Sequence, residues 1–222
     1  MKVDLASFCC SKDRDKLEPV FNNHVDSHGY NFDNVHLVYQ RCNPKEKPPV
    51  NIIQISEYDY DEILIENGIN PFNDQADELT HGWDAAHYWR HHCVNHLAAL
   101  NTSTADYIVL ADADCYIKDQ RSSWVNEGIK ILQNNKYVLV VSPSDGTPGS
   151  HQTQNMSQQV MLVERKRLLD IDFDLPFEGF KEGGPMQEYY FMLEGRIGRY
   201  MEKHNLWRYM LSSHFRYWHS QW

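Results

Sequence analysis

Residues 107–116 read YIVLADADCY. An apolar run from Tyr107 to Ala111 ends on two carboxylates, Asp112 and Asp114, with one alanine between them. A short continuous apolar run bounded by polar residues is the pattern of a strand buried on both faces, as in a parallel sheet covered by helices. Ligands of open α/β sheets bind beyond the carboxyl ends of such strands. In an extended segment residues two apart project to the same side, so both carboxylates are expected to face one cavity. Two anions this close repel, and each resists loss of its hydration. A hard divalent cation removes both penalties, because it takes oxygen ligands and keeps positions open for phosphate oxygens.

The neighbouring sequence alternates between strand and helix signals. KVDLASFCC opens as a strand, and SKDRDKLEPVFNNHVDSHG predicts a helix ending at Gly29, with Pro19 arguing for a late start. NVHLVYQRC and VNIIQISEY predict the second and third strands, joined by the Pro-rich NPKEKPP. WDAAHYWRHHCVNHLAAL predicts a long helix before the 107–112 strand. SSWVNEGIKILQNN, KYVLVVSPS and QQVMLVERKRLL continue the alternation as helix, strand, and a strand running into a short helix. The polar, glycine-containing stretch from 145 to 156 is expected to be a loop able to act as a lid. MQEYYFMLEGRIGRYMEKH predicts a helix, and WRYMLSSHFRYWHSQW a strand-like aromatic end. The expected architecture is one α/β domain over 1–222, with a central, mostly parallel sheet flanked by helices and an irregular C-terminal third. Residues 1–116 and 117–222 are expected to form the two halves of that domain.

Composition narrows the function classes. The 222 residues carry 31 Asp and Glu against 21 Lys and Arg, a net charge of −10, which argues against nucleic acid as the partner. The five cysteines, Cys9, Cys10, Cys42, Cys93 and Cys115, are odd in number and irregularly spaced, the pattern of free thiols in a reducing compartment. No apolar run reaches membrane-span length, and Met1-Lys2-Val3-Asp4 lacks the apolar core of a signal peptide. A cytoplasmic location is the expectation. Aromatic residues make up 13%, and such rings serve cores and also line carbohydrate and nucleobase sites.

ADYIVLADADCYI resembles the D-x-D region of nucleotide-sugar-dependent glycosyltransferases of the GT-A, Rossmann-like fold. The opening strand with CCSKDRDKLEPVF is similar to the start of family 2-like members, and HGWDAAHYWRHHCVNHLAALNTSTADYIVLADAD to their helix-then-D-x-D unit. GFKEGGPMQEYYFMLEGRIGRY resembles their later Gly-rich acidic segment, although Gln187-Glu188 stands where the E-D pair is usual. QRCNP stands where a uracil-binding aspartate is expected after the second strand.

The resemblance implies a metal-dependent transfer of a sugar, with a UDP-sugar as the expected donor, to a hydroxyl of a glycan, lipid-linked or other acceptor. It implies Asp114 as a direct ligand of Mn²⁺ or Mg²⁺, and Asp112 reaching the ribose or a metal-bound water. A third ligand near the C-terminus falls to His214 or His219, with His214 taken because it follows a strand-like run. Glu188 is the implied general base of an inverting transfer, although its place at a helix start also suits the helix dipole. Arg90 is assigned to the phosphates or the donor sugar, Asp84 to sugar hydroxyls, Ser11 and Arg14 to the nucleotide, and Glu57 to the nucleoside. His87 with His91, and His92 with His96, have chelating spacing but point to different helix faces and are expected to be mostly structural. A sugar nucleotidyltransferase of similar fold is the alternative, disfavoured because CCSKDRDK lacks a glycine; a non-enzymatic carbohydrate- or cation-binding module is the other.

Overall fold

The computed structural model describes residues 1–10, 21–40, 52–72, 88–118, 123–144, 151–157, 159–174 and 191–219. Ten strands are found among them: β1 (Val3–Cys10), β2 (Asn34–Gln40), β3 (Ile52–Ile55), β4 (Tyr107–Asp112), β5 (Cys115–Lys118), β6 (Val138–Ser142), β7 (His151–Thr153), β8 (Val160–Glu164), β9 (Trp207–Met210) and β10 (Arg216–His219). The helices are α1 (Phe21–Ser27), α2 (Tyr60–Glu66), α3 (Tyr88–Thr102), α4 (Trp124–Asn134), α5 (Arg165–Leu169) and α6 (Leu193–His204).

Eight strands form one sheet in the order β3-β2-β1-β4-β8-β6-β9-β7, and β5 with β10 forms a separate two-stranded ribbon. The first four strands are parallel to one another. β8 enters antiparallel between β4 and β6, β9 resumes the parallel direction beside β6, and β7 closes the edge antiparallel. The fold is thus mixed α/β around a central, mostly parallel sheet.

Alternation along β4 divides the core. Ile108 and Leu110 pack with α2, α3, α5 and α6 on one face, while Tyr107, Val109 and Ala111 pack with α4, β5 and β10 on the other. A strand buried on both sides carries polar residues only where they find partners, and in β4 the apolar run stops where the core stops. α4 starts where the sequence indicates: the Ser123 hydroxyl accepts from the Asn126 N–H at 3.4 Å.

α1 is described from Phe21, and residues 11–20 of the expected helix lie outside the described residues. Two sequence expectations are revised. His151–Thr153, inside the expected lid, forms edge strand β7; 145–150 lie outside the described residues. The C-terminal aromatic run is two strands, β9 and β10, which belong to different sheets because a 3-10 turn at Ser213–Phe215 redirects the chain. Cys9, Cys93 and Cys115 are buried, reduced thiols. No helix among the described residues is long and apolar enough to cross a membrane.

Candidate metal and nucleotide site

The sheet order reverses between β1 and β4: β2 and β3 follow β1 on one side, and β4 lies on the other. In doubly wound sheets this switch point opens a crevice at the carboxyl ends of the strands, where ligands bind. Asp112 is the last residue of β4 and pairs with Phe8 near the end of β1, so it stands at the crevice.

Asp112 and Asp114 converge, but by a turn and not by continued extension. β4 stops at Asp112, and Ala113-Asp114 turn the chain into β5. The turn is pinned: the Asp112 N–H donates to the Gln159 carbonyl at 2.8 Å, and the Ala113 N–H to the Phe8 carbonyl at 3.1 Å. Ligand atoms of Asp112, Asp114 and Cys115 all lie within 4.8 Å of one another, and these three form the metal-capable group among the described residues. Both carboxylates are partly accessible, while Cys115 is buried.

Charge is concentrated here. Asp112 has its pKa raised well above the usual carboxylate range, first by desolvation, then by Asp114 and by Glu194 in the first turn of α6. The Cys115 thiol is pushed up by burial and by the two aspartates, and its S–H lies 3.8 Å from Asp114 Oδ1 as donor. The thiol is placed as a donor to Asp114, which leaves the two carboxylates as the oxygen donors of the group. Two carboxylate oxygens with open positions between them suit Mg²⁺ or Mn²⁺.

The ribbon carries the C-terminus to this turn. Its antiparallel register pairs Arg216 with Lys118, Trp218 with Tyr116 and His219 with Cys115. The backbone of His219 is thereby brought opposite the residue that follows Asp114. His214 lies in the 3-10 turn before β10, exposed, with its ring engaged by the Ser212 hydroxyl.

Arg90 is at the same edge. α3 runs back along the sheet into β4, which leaves its first residues at the carboxyl ends of the strands; Gln40, the last residue of β2, donates to the His91 carbonyl at 2.7 Å. Arg90 is buried, its Nη1 is 3.2 Å from Asp61 Oδ1 on α2, and its guanidinium is 5.5 Å from the Trp89 ring centroid. Arg196, fully buried, is 5.3 Å from the same ring, so two cations share one indole. Glu57 opens a 3-10 turn directly after β3, also at this edge. Ser11, Arg14, Asp84 and Glu188 lie outside the described residues.

The histidines of α3 serve packing contacts. His91 Nδ1 is 2.9 Å from the Tyr60 hydroxyl, and the His96 ring packs on Phe8 tilted by 40°, with centroids 4.1 Å apart. Two residues that sequence reading passed over stand close to the carboxylates. Glu194 faces Asp112 from α6, and His24 on α1 bonds the Cys115 carbonyl at 2.8 Å. Glu194 had a signal, an acidic residue in the Gly-rich segment already singled out. His24 had none.

No protein-family model matches the sequence, and no curated protein matches it. Among solved structures, the chain is similar to the galactosyltransferase LgtC in complex with donor and acceptor sugar analogues, at 14% identity over 76% of this chain and 60% of that one, TM-score 0.38. An active-site mutant of LgtC is matched at 13% identity over 76% and 60%, TM-score 0.38. A glycosyltransferase involved in glycosylation of the major capsid of PBCV-1 is matched at 14% identity over 86% and 74%, TM-score 0.31. The chain spans 60% of the length of the first two structures.

Proposed function

We propose that this chain is a metal-dependent glycosyltransferase that moves a sugar from a nucleoside-diphosphate sugar, with a UDP-sugar as the first donor to test, to an acceptor hydroxyl. The observation that carries the reading is the convergence of Asp112 and Asp114 within 4.8 Å at the switch point of a doubly wound sheet. Like charges held together at a ligand-binding edge call for a divalent cation, and a cation held by two carboxylates calls for a ligand rich in anionic oxygen.

In this reading Asp114 and Asp112 hold Mn²⁺ or Mg²⁺, with His214 taken as the C-terminal ligand. Bound there, the ion supplies Lewis-acid neutralisation of charge growing on a diphosphate leaving group. Arg90 is assigned to the phosphates or the donor sugar. Ser11, Arg14 and Glu57 are assigned to the nucleoside end, and Asp84 to sugar hydroxyls. Glu188 is taken as the base that accepts the acceptor proton, which makes the transfer inverting. Residues 1–116 then bind the donor and 117–222 the acceptor.

Thermal unfolding with Mn²⁺ and UDP tests the reading. The pair should raise the melting temperature, EDTA should abolish the rise, and Asp114→Ala should uncouple metal from nucleotide. A wild-type protein indifferent to every nucleoside diphosphate with metal removes the reading. Metal-dependent hydrolysis across a panel of nucleotide sugars then identifies the donor, and the anomer of the transferred product decides the role of Glu188.

A further inference from the structure

His24 and Ser7 form a buried polar pair directly behind the carboxylate turn. Both are fully buried. His24 Nε2 is 2.7 Å from Ser7 Oγ on β1, and Nδ1 is 2.8 Å from the Cys115 carbonyl oxygen. A carbonyl only accepts, so Nδ1 carries the hydrogen. Burial pulls the pKa of the ring down to about 4 and leaves it neutral at physiological pH. Nε2 therefore presents a lone pair, and the Ser7 hydroxyl donates to it. The proton order is fixed throughout: Ser7 O–H to Nε2, and Nδ1–H to the Cys115 carbonyl.

A serine beside a histidine is also the arrangement of an activated nucleophile. Here Ser7 lies in a strand between β2 and β4 with no exposed surface, so no substrate reaches it. The pair has a mechanical use instead. The first half of the turn is tied to β1 and β8 through Ala113 and Asp112. The second half is tied to α1 through His24. Ser27, at the end of α1, adds to the same tie: its hydroxyl donates to the His24 carbonyl at 2.7 Å and accepts from the Ile117 N–H at 3.2 Å.

We infer that His24 is a positioning residue that fixes the Cys115–Tyr116 peptide, one residue past Asp114, and so helps aim the Asp114 carboxylate beside Asp112 for a divalent cation. The inference rests on the metal reading proposed above. Partners one shell out from a metal ligand orient it, and their loss typically weakens metal binding by about 10- to 100-fold.

Two substitutions separate orientation from stability. In His24→Asn the side-chain amide can donate from the place of Nδ1, so the Cys115 bond is kept and the Ser7 bond lost. In His24→Gln the amide reaches the place of Nε2, so the Ser7 bond is kept and the Cys115 bond lost. Mn²⁺ affinity is read from free Mn²⁺ by electron paramagnetic resonance, with UDP present, and urea unfolding is run beside it. His24→Gln should weaken Mn²⁺ about tenfold or more, while His24→Asn and Ser7→Ala should stay within about threefold of wild type. Equal affinity in His24→Gln and wild type overturns the inference, as does a loss that follows stability across all three variants. Wild-type protein that binds no Mn²⁺ with UDP overturns the metal reading itself, and the inference with it. Should His24→Gln not fold, ¹⁵N-histidine spectra of the wild type decide. The Nδ1–H tautomer with a resonance that shifts on adding Mg²⁺ and UDP supports the inference, and a resonance that does not move overturns it.

Discussion

Asp112→Asn should make the metal-free protein more stable while destroying its response to metal. With oxygens of Asp112 and Asp114 within 4.8 Å, two unit charges at that separation repel by about 1 kcal/mol in bulk water and about 3.5 kcal/mol at an effective dielectric of about 20. Both groups are partly accessible, which places the repulsion near the middle, about 2 kcal/mol. Glu194 adds to it from α6. An amide of nearly the same shape removes this charge. For a chain of this length about 2 kcal/mol corresponds to a rise of about 4–8 °C in melting temperature. Calorimetry at pH 7.5 in EDTA reads the gain. With Mn²⁺ and UDP at about 100 times their dissociation constant, the wild type should gain about 2.7 kcal/mol and overtake the variant, which gains none. The pH dependence supplies the sign. The folded-state pKa of Asp112 is raised, so the folded chain holds a proton that the unfolded chain has already released. Stability from this group is full below the ordinary carboxylate pKa and is lost as pH rises through the raised value. The gap between variant and wild type should therefore close on acidification. An Asp112→Asn melting temperature equal to or below wild type in EDTA would show that this carboxylate is engaged by hydrogen bonds and not repelled, and the cation argument would fail with it.

Stability should fall between pH 6.5 and about 4. His24 and His92 are each lowered from 6.5 to about 4, first by burial, so the unfolded chain takes up protons that the folded chain refuses. At pH 5 each contributes a loss of about 2 kcal/mol. Urea titration in the Asp112→Asn background isolates this trend from the opposite one, and an unchanged midpoint from pH 7 to pH 5 would contradict the burial. Cys115→Ser should leave Mn²⁺ affinity within about threefold and confer no preference for Cd²⁺ to lose, because a protonated thiol is not a ligand; a larger drop would make the sulfur part of the site. Gly128→Ala should destabilise despite the better helix former. A Cβ there would stand 2.6 Å from Leu162 Cδ2 and 3.2 Å from Val141 Cγ1. Overpacking of about 1–3 kcal/mol outweighs a propensity gain of about 1 kcal/mol, so a higher melting temperature would refute the close packing of α4 on the sheet.

What was legible in the sequence was local. β4 and β8 are buried on both faces, so each is an apolar run whose ends mark where the core ends. The end of β4 gave the position of the site along the chain. The order of strands and helices before it gave the parallel half of the sheet. Pairings between distant segments left no local trace. Nothing in 115–118 or 216–219 says that they pair across about a hundred residues. Nor does a period-2 reading reveal that Asp112 and Asp114 meet through a turn. His24 is one of twelve histidines, and only burial between Ser7 and the Cys115 carbonyl distinguishes it.

The antiparallel entry of β8 explains how the crevice is closed on its far side. A parallel strand beside β4 would reach the carboxyl edge with its last residue and leave by a loop running over the site. β8 instead begins at that edge, so the residue just before it, Gln159, is delivered beside the end of β4. Its carbonyl accepts from the Asp112 N–H at 2.8 Å, and its side-chain oxygen accepts from the Tyr217 hydroxyl at 2.7 Å. Tyr217 lies on β10, which pairs with β5, the strand that leaves the carboxylate turn. The exit of β4, the entrance of β8 and the C-terminal ribbon are thus joined through one glutamine. His24 performs the same service from the opposite side, from α1. A pair of like charges tends to open any turn that carries it. This one is clamped from two faces by neutral hydrogen-bonding groups, which hold the carboxylates together without cancelling the charge that a cation would need to find there.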